Sequence, residues 1–162
     1  TLAGIAQRFK TTVELIKICN NLKTNFIKKD MKLKVITLKF SILIDKSRNT
    51  LILKADESVI KIYSVGTGAK GSTPVGEFQI KNKLINPPWY KAGIGIIPYG
   101  NPKNILGTRW MGLNIGGYGI HGTWDPNSTG KQVSAGCIRM RNKDVEELFK
   151  IVPIGTSVTV VN

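Results

Sequence analysis

The sequence predicts a mostly β protein with one short helix near its end, preceded by a small α/β module. Three observations carry that prediction. From Phe40 onward, short runs of alternating apolar and polar residues recur, as half-buried strands require. Within the first twenty residues the apolar positions instead fall at helical spacing. Between these regimes and the C-terminus, glycine and proline break the chain often enough to forbid long helices.

In the N-terminal segment, Leu2, Ile5, Ala6 and Phe9 share one helical face, and Thr11-x-x-Glu14 reads as a capping box opening a second helix. Val13, Ile16 and Cys19 line that second helix, which stops at Asn20-Asn21; Met31 to Ile36 then alternates as a strand. Phe40–Asp45 and Thr50–Lys54 flank the polar turn Lys46–Asn49 and predict a hairpin, with Val59–Val65 as a third strand. Residues 66–76 read as loop, and Glu77–Ile80 as a short strand. Four of the seven prolines fall between Pro87 and Pro102, so residues 84–117 read as irregular. Trp89, Tyr90 and Tyr99 anchor that stretch as a flap over a groove or as a packed surface loop. Trp110 and Met111 are candidates for a pocket wall or for the core. Asn142 is placed to cap a final helix, with Asp144, Glu146 and Glu147 near its positive end and Val145, Leu148 and Phe149 as its apolar stripe. Ser157–Val161 closes the sheet.

Composition narrows the function. With 41% hydrophobic residues the chain can bury a core, and no apolar run approaches the roughly 18 residues of a membrane span. The net charge of +14 is dispersed, +6 on residues 1–38 and +8 on the remainder, without an aromatic-interleaved basic stripe. That pattern argues against nucleic acid and fits a protein working against a polyanion such as a bacterial wall. One histidine and two widely separated cysteines do not make a metal site, and both thiols are expected to be free. The chain opens at Thr1 rather than methionine, which leaves room for upstream sequence.

The stretch Tyr118–Arg141 holds the chemistry. It contains the one histidine, His121, and Cys137. A thiol becomes a strong nucleophile on losing its proton, and an imidazole within reach is the usual acceptor. Ser134-Ala135-Gly136 before the sulfur allows a tight turn that can aim successive N–H groups at one point, as an oxyanion hole requires. Continued as a strand, the segment puts Cys137, Arg139 and Arg141 on one face and Ile138 and Met140 inside. Two guanidinium groups would then lower the thiol pKa and hold a substrate carboxylate.

His121-Gly-Thr followed by Ser134-x-Gly-Cys-Ile-Arg-Met140 resembles the signature of the L,D-transpeptidase (YkuD-type) catalytic domain. Thr73-Pro-x-Gly-x-Phe78, Asn86-Pro-Pro-Trp89 and Leu106-Gly-Thr-Arg-Trp-Met-Gly-Leu113 match further elements of that family. The resemblance implies a β-sandwich-like catalytic domain over residues 39–162, with no cofactor. It implies Cys137 as nucleophile, His121 as base and the Gly122 carbonyl as the orienting acceptor. The amides of Ala135, Gly136 and Cys137 would hold the oxyanion, and Arg139, Ser134, Trp110 and Tyr118 would bind substrate. The implied substrate is a peptidoglycan tetrapeptide stem, cut after its diamino acid with release of D-alanine and transfer to a neighbouring amine. Hydrolysis by the same acyl-enzyme (an L,D-carboxypeptidase) and non-catalytic wall binding are the alternatives. Ala135 departs from the histidine that many members carry.

Residues 1–38, with Thr-Leu-x-x-Ile-Ala-x-x-Phe, Thr-Thr-Val-x-x-Ile, Asn-Asn-Leu and Lys-Leu-Lys-Val, resemble a LysM domain, a βααβ module that binds N-acetylglucosamine-containing glycans. The family's first strand is missing before Thr1, and Asp30-Met31 replaces a common Pro-Gly turn. Together the resemblances imply a secreted or wall-associated bacterial protein, monomeric, that meets stem peptides and glycan strands.

Overall fold

The alternating runs assemble into one eight-stranded sheet that carries most of the core. The structure, a computed structural model, describes residues 1–162. Helices α1 (Leu2–Arg8) and α2 (Val13–Cys19) come first. Strands β1 (Phe40–Asp45), β2 (Thr50–Ala55) and β3 (Ser58–Ser64) follow as a meander. Then come β4 (Thr67–Gly68), β5 (Gly76–Ile85), the small hairpin β6 (Trp89–Lys91) and β7 (Gly95–Ile97), β8 (Arg109–Leu113) and β9 (Gly119–His121). The chain ends with β10 (Gln132–Ser134), β11 (Ile138–Arg139), helix α3 (Asn142–Ile151) and β12 (Ser157–Val161). The main sheet runs β11-β9-β8-β5-β12-β1-β2-β3, while β10 pairs separately with β4.

Strict alternation on β1, β2 and β12 puts Ile42, Ile44, Leu51, Leu53, Val158 and Val160 on the inner face. Helix α3 covers part of that face with Val145 and Leu148, and one cluster of 20 buried residues results. Truncating a fully buried member such as Ile44 to alanine would cost about 2–5 kcal/mol.

The N-terminal helices bury a cluster of their own, Leu2, Ala6 and Ile16, but they also dock onto the rest of the chain. Leu15 joins the main core, and the Thr12 hydroxyl donates to the Lys150 carbonyl of α3 at 2.5 Å.

Several expectations are corrected here. The residue that caps α2 is Thr12, whose hydroxyl accepts from the Leu15 N–H, and not Thr11; two consecutive threonines offer the same side chain and geometry selects the second. Cys19 is half-exposed rather than part of the apolar cluster. Residues 31–36 alternate but form no strand, because no neighbouring strand pairs with them. Lys34 instead donates its N–H to Asn20 Oδ1 at 2.8 Å and accepts from Asn20 Nδ2 at 2.7 Å. Asn142 does not cap α3. It is the first helical residue, and its carboxamide oxygen accepts from the Thr108 N–H at 3.1 Å.

The stretches read as loop are more ordered than expected. Strand β5 extends past Ile80 to Ile85, with a register shift between Ile80 and Asn82. Residues 84–117 hold two strands of their own besides β8. Buried Asn104 ties that region together, donating to the carbonyls of Pro87 and Ile97 and accepting from the Leu106 N–H.

Candidate active site

Sheet register decides which side chains meet. In the antiparallel pair β8–β9, Trp110 lies opposite His121; in the parallel pair β9–β11, His121 lies beside Arg139; in β5–β8, Leu84 lies opposite Trp110. Leu84, Trp110, His121 and Arg139 therefore form one row across four strands on one face. The next row contains Asn82, Gly112 and Gly119. Two glycines in succession make room there for the Trp110 indole; a Cβ on Gly119 would stand 2.6 Å from its ring. Cys137, two residues before Arg139, comes down beside that space. All of these side chains except the glycines line a cavity of about 380 Å³ whose rim is formed by Pro88, Trp89, Tyr90, Ile105 and Leu106.

His121 is buried. Its Nδ1 lies 2.6 Å from the Gly122 carbonyl oxygen. A carbonyl only accepts, so Nδ1 carries the proton and Nε2 keeps its lone pair. The indole of Trp110 stacks on the ring, centroids 5.9 Å apart and planes at 23°. Burial pulls the imidazole pKa from 6.5 down to about 4; the Gly122 carbonyl opposes this, the Arg139 charge adds to it, and the Leu106 carbonyl opposes it again. Asp125 takes no part in orienting the imidazole. Its carboxylate instead accepts from the Asn127 N–H at 3.1 Å, and the short 3₁₀ turn Pro126–Ser128 begins there.

The half-buried Cys137 thiol donates to the Gly117 carbonyl at 3.5 Å and makes no hydrogen bond to His121. The two side chains share the cavity as diagonal neighbours across the parallel β9–β11 edge. Of the two guanidinium groups expected to lower the thiol pKa, Arg139 does so and Arg141 does not, but the net shift is upward. Burial raises the pKa, outweighing a backbone hydrogen bond from Gly119 and the Arg139 charge. Arg141 is exposed and lies off the cavity, because β11 ends at Arg139 and Arg141 is already the residue flanking α3. Ile138 and Met140 are fully buried. Arg139 Nε is buried without a hydrogen-bond partner in the protein.

The turn before the sulfur is clamped by two hydroxyls. Ser134 Oγ accepts from the Gly136 N–H at 3.1 Å and donates to the Cys137 carbonyl at 2.6 Å. Thr73 Oγ1 accepts from the Gly68 N–H at 2.7 Å and donates to the Gly136 carbonyl at 2.8 Å. Of the three amides expected to face an oxyanion, that of Gly136 is thus engaged by Ser134, while those of Ala135 and Cys137 have no partner in the protein. Tyr118 does not line the cavity. It packs against the turn at Gly136, where φ is +137° and a Cβ would stand 2.5 Å from the Tyr118 ring, so no side chain fits. Ser134 does reach the cavity wall, though both its hydrogen bonds are spent on the turn. The sequence reading missed the roles of Thr73, Asn82, the Gly117 carbonyl and Asn142. Thr73 had a signal in the Thr-Pro-x-Gly-x-Phe motif; the others had none. No cluster of His, Cys, Asp and Glu could hold a metal.

The site is a strand-built cavity holding a cysteine and a buried, carbonyl-oriented histidine. The chain belongs to the YkuD family of L,D-transpeptidase catalytic domains, whose family model matches residues 39–160, and a LysM domain model matches residues 1–35. Among relatives, the Bacillus subtilis protein YqjB, named as an L,D-transpeptidase, is 42% identical over 125 residues, covering 74% of this chain and 69% of its own. Bacillus subtilis YkuD, named likewise, is 42% identical, covering 76% of this chain and 67% of its own. The catalytic domain of an Enterococcus faecium L,D-transpeptidase acylated by ertapenem superposes with a TM-score of 0.61 at 27% identity, covering 76% of this chain and 98% of that one. An L,D-transpeptidase from Mycobacterium smegmatis shares the fold, with a TM-score of 0.65 at 22% identity; this match covers 77% of this chain and 59% of that longer one.

Proposed function

We propose that this chain cross-links peptidoglycan stem peptides through a Cys137 acyl-enzyme, with the LysM-like residues 1–38 holding catalytic residues 39–162 against wall glycan. One observation carries the reading: the thiol, the imidazole, the Arg139 guanidinium and the Ala135–Cys137 turn all open into a single cavity. As the sulfur attacks the carbonyl carbon of the stem amide, Nε2 of His121 takes the thiol proton. The free N–H groups of Ala135 and Cys137 receive the oxyanion, a contribution of about 3–4 kcal/mol per donor. Nε2 then returns the proton to the departing amine of D-alanine, leaving a thioester. An amine of a neighbouring stem attacks the thioester, forming the new amide and restoring the thiol. Arg139, with a buried and unsatisfied Nε, supplies the cation for a stem carboxylate.

A net charge of +14 suits work against an anionic wall outside the cell membrane, and no helix is long and apolar enough to cross a membrane. The test is incubation with a disaccharide-tetrapeptide. Cross-linked dimer is the expected product, tripeptide alone would make the protein a carboxypeptidase, and Cys137→Ala should yield neither. Ertapenem should add its mass to Cys137. An unmodified mass for folded protein after long exposure would leave only a wall-binding role.

A further inference from the structure

Two large aromatic rings contribute nothing to either hydrophobic cluster. Trp124 is 54% exposed and Tyr99 is 39% exposed, yet their rings lie together, centroids 6.1 Å apart at 47°. They come from segments far apart in sequence, so the pairing is a product of the fold.

Each ring stands on a pinned backbone. Residue 125, next to Trp124, donates its N–H to the Thr123 hydroxyl at 3.1 Å, and its carbonyl accepts from the Ser128 hydroxyl at 2.6 Å. Tyr99 sits in a turn closed by the Asn101 N–H on the Pro98 carbonyl at 3.2 Å, next to buried Ile97, whose carbonyl Asn104 holds. Rigid, exposed aromatic faces offer contact area at little entropic cost, and they suit a flat ligand bearing C–H groups on one side and polar groups on its edge. Asp125 and Asn127, one and three residues after Trp124, are exposed and carry polar groups that can meet such an edge.

We infer that Trp124 and Tyr99 form a platform for a pyranose ring of the glycan strand, next to the peptide cavity and separate from the N-terminal module. The inference rests on the proposed reaction for its choice of sugar. Spacing supports it. Trp124 lies three residues after His121, so their Cα atoms are at most about 10 Å apart. In a tetrapeptide stem cut before its terminal D-alanine, the sugar lies three residues before the cut bond, which again spans about 10 Å. A stem held in the cavity beside His121 therefore has the length to bring its sugar to Trp124.

The experiment compares kcat/KM for disaccharide-tetrapeptide with that for the same tetrapeptide lacking sugar. The full chain is used throughout, so any contribution of the N-terminal module is common to every protein. The wild type should favour the sugar-bearing substrate by about two- to tenfold, the range of one aromatic stacking contact. Trp124→Ala should bring that ratio close to one through KM, Trp124→Phe should keep part of it, and Trp124→Leu should not. A ratio of one in the wild type, a ratio that survives Trp124→Ala, or a leucine variant matching the phenylalanine variant would overturn the platform. If the wild type turns over neither substrate, the reaction reading fails and binding decides the platform. Saturation transfer by NMR from Cys137→Ala protein to the free disaccharide must then fall when Trp124→Ala is added, and equal transfer would sink it.

Discussion

Replacing Thr73 by valine keeps the shape of the side chain and removes one hydroxyl, which makes it a sharp test of how the nucleophile turn is held. Thr73 is 1% exposed, and its hydroxyl serves the Gly68 N–H at 2.7 Å and the Gly136 carbonyl at 2.8 Å. Valine leaves a buried donor and a buried acceptor without partners, at about 1–3 kcal/mol each, or roughly 2–4 kcal/mol after local relaxation. For a chain of this size that corresponds to a melting point lower by about 5–15 °C. The effect on reactivity is separate. The Gly136 carbonyl and the Cys137 N–H belong to one rigid peptide plane, so the hydroxyl that holds the carbonyl also aims the amide offered to the oxyanion. Losing that aim should slow acylation by about 10- to 100-fold, part of the value of one oxyanion donor. Thermal melting and single-turnover acylation by ertapenem, followed by intact mass, read the two effects independently. Thr73→Ser should recover both. A valine variant that melts early but acylates at the wild-type rate would show that the hydroxyl is structural only, and a serine variant as damaged as valine would put the effect in the methyl group.

Two further outcomes follow from the buried ionisable groups. His121 titrates near 4 in the folded chain against about 6.5 unfolded, so between those values the unfolded chain binds the extra proton. Its contribution is complete above pH 6.5 and falls as the pH drops toward 4, by up to about 3 kcal/mol; urea midpoints across that range should flatten in His121→Gln, and equal slopes would refute the assignment. Lys83, held down to about 8 by burial, donates to the carbonyls of Phe149 and Val152 at 2.6 and 2.8 Å and lies 4.2 Å from the Phe149 ring centre. Two charge-assisted bonds at about 1.5–3 kcal/mol each outweigh a desolvation cost of about 3 kcal/mol, so Lys83→Met should lose about 1–2 kcal/mol at pH 7 by chemical denaturation. A methionine variant as stable as wild type would mean that desolvation wins.

The parts of this protein that were legible in the sequence are those decided by local pattern. Strands β1, β2 and β12 alternate over five or six residues, and one buried face is enough to fix their register. Elements decided by a partner were not legible. Residues 31–36 carry the same alternation as β1, yet without a strand to pair with, the pattern produces no ladder. Thr67–Gly68 is too short to show any period, and it becomes a strand because Gln132–Ser134 lies beside it. Prolines and glycines hid the β6–β7 hairpin, which Asn104 holds through hydrogen bonds that no periodicity encodes. At the site, Cys137, His121 and the Gly122 carbonyl could be named from residue chemistry and family resemblance. Tyr118 could not be placed, since its position follows from a glycine at φ +137° that only coordinates reveal.

The site's electrostatics bear on how it would begin its reaction. Burial raises the thiol pKa and lowers that of the imidazole, so both groups are neutral at pH 7. A standing thiolate–imidazolium pair would place two charges where the cavity wall offers one cation, Arg139, and a stacked indole. The same Arg139 favours a thiolate and disfavours an imidazolium, so its charge alone cannot stabilise the pair. A bound stem carboxylate changes that balance. Neutralising Arg139 would remove its repulsion on His121 and its pull on the thiolate together, while covering the mouth would strengthen the hydrogen bonds of the two free amides. In the proposed reaction the gain would come from those amides as the oxyanion forms, so proton transfer would proceed in step with carbonyl attack rather than before it.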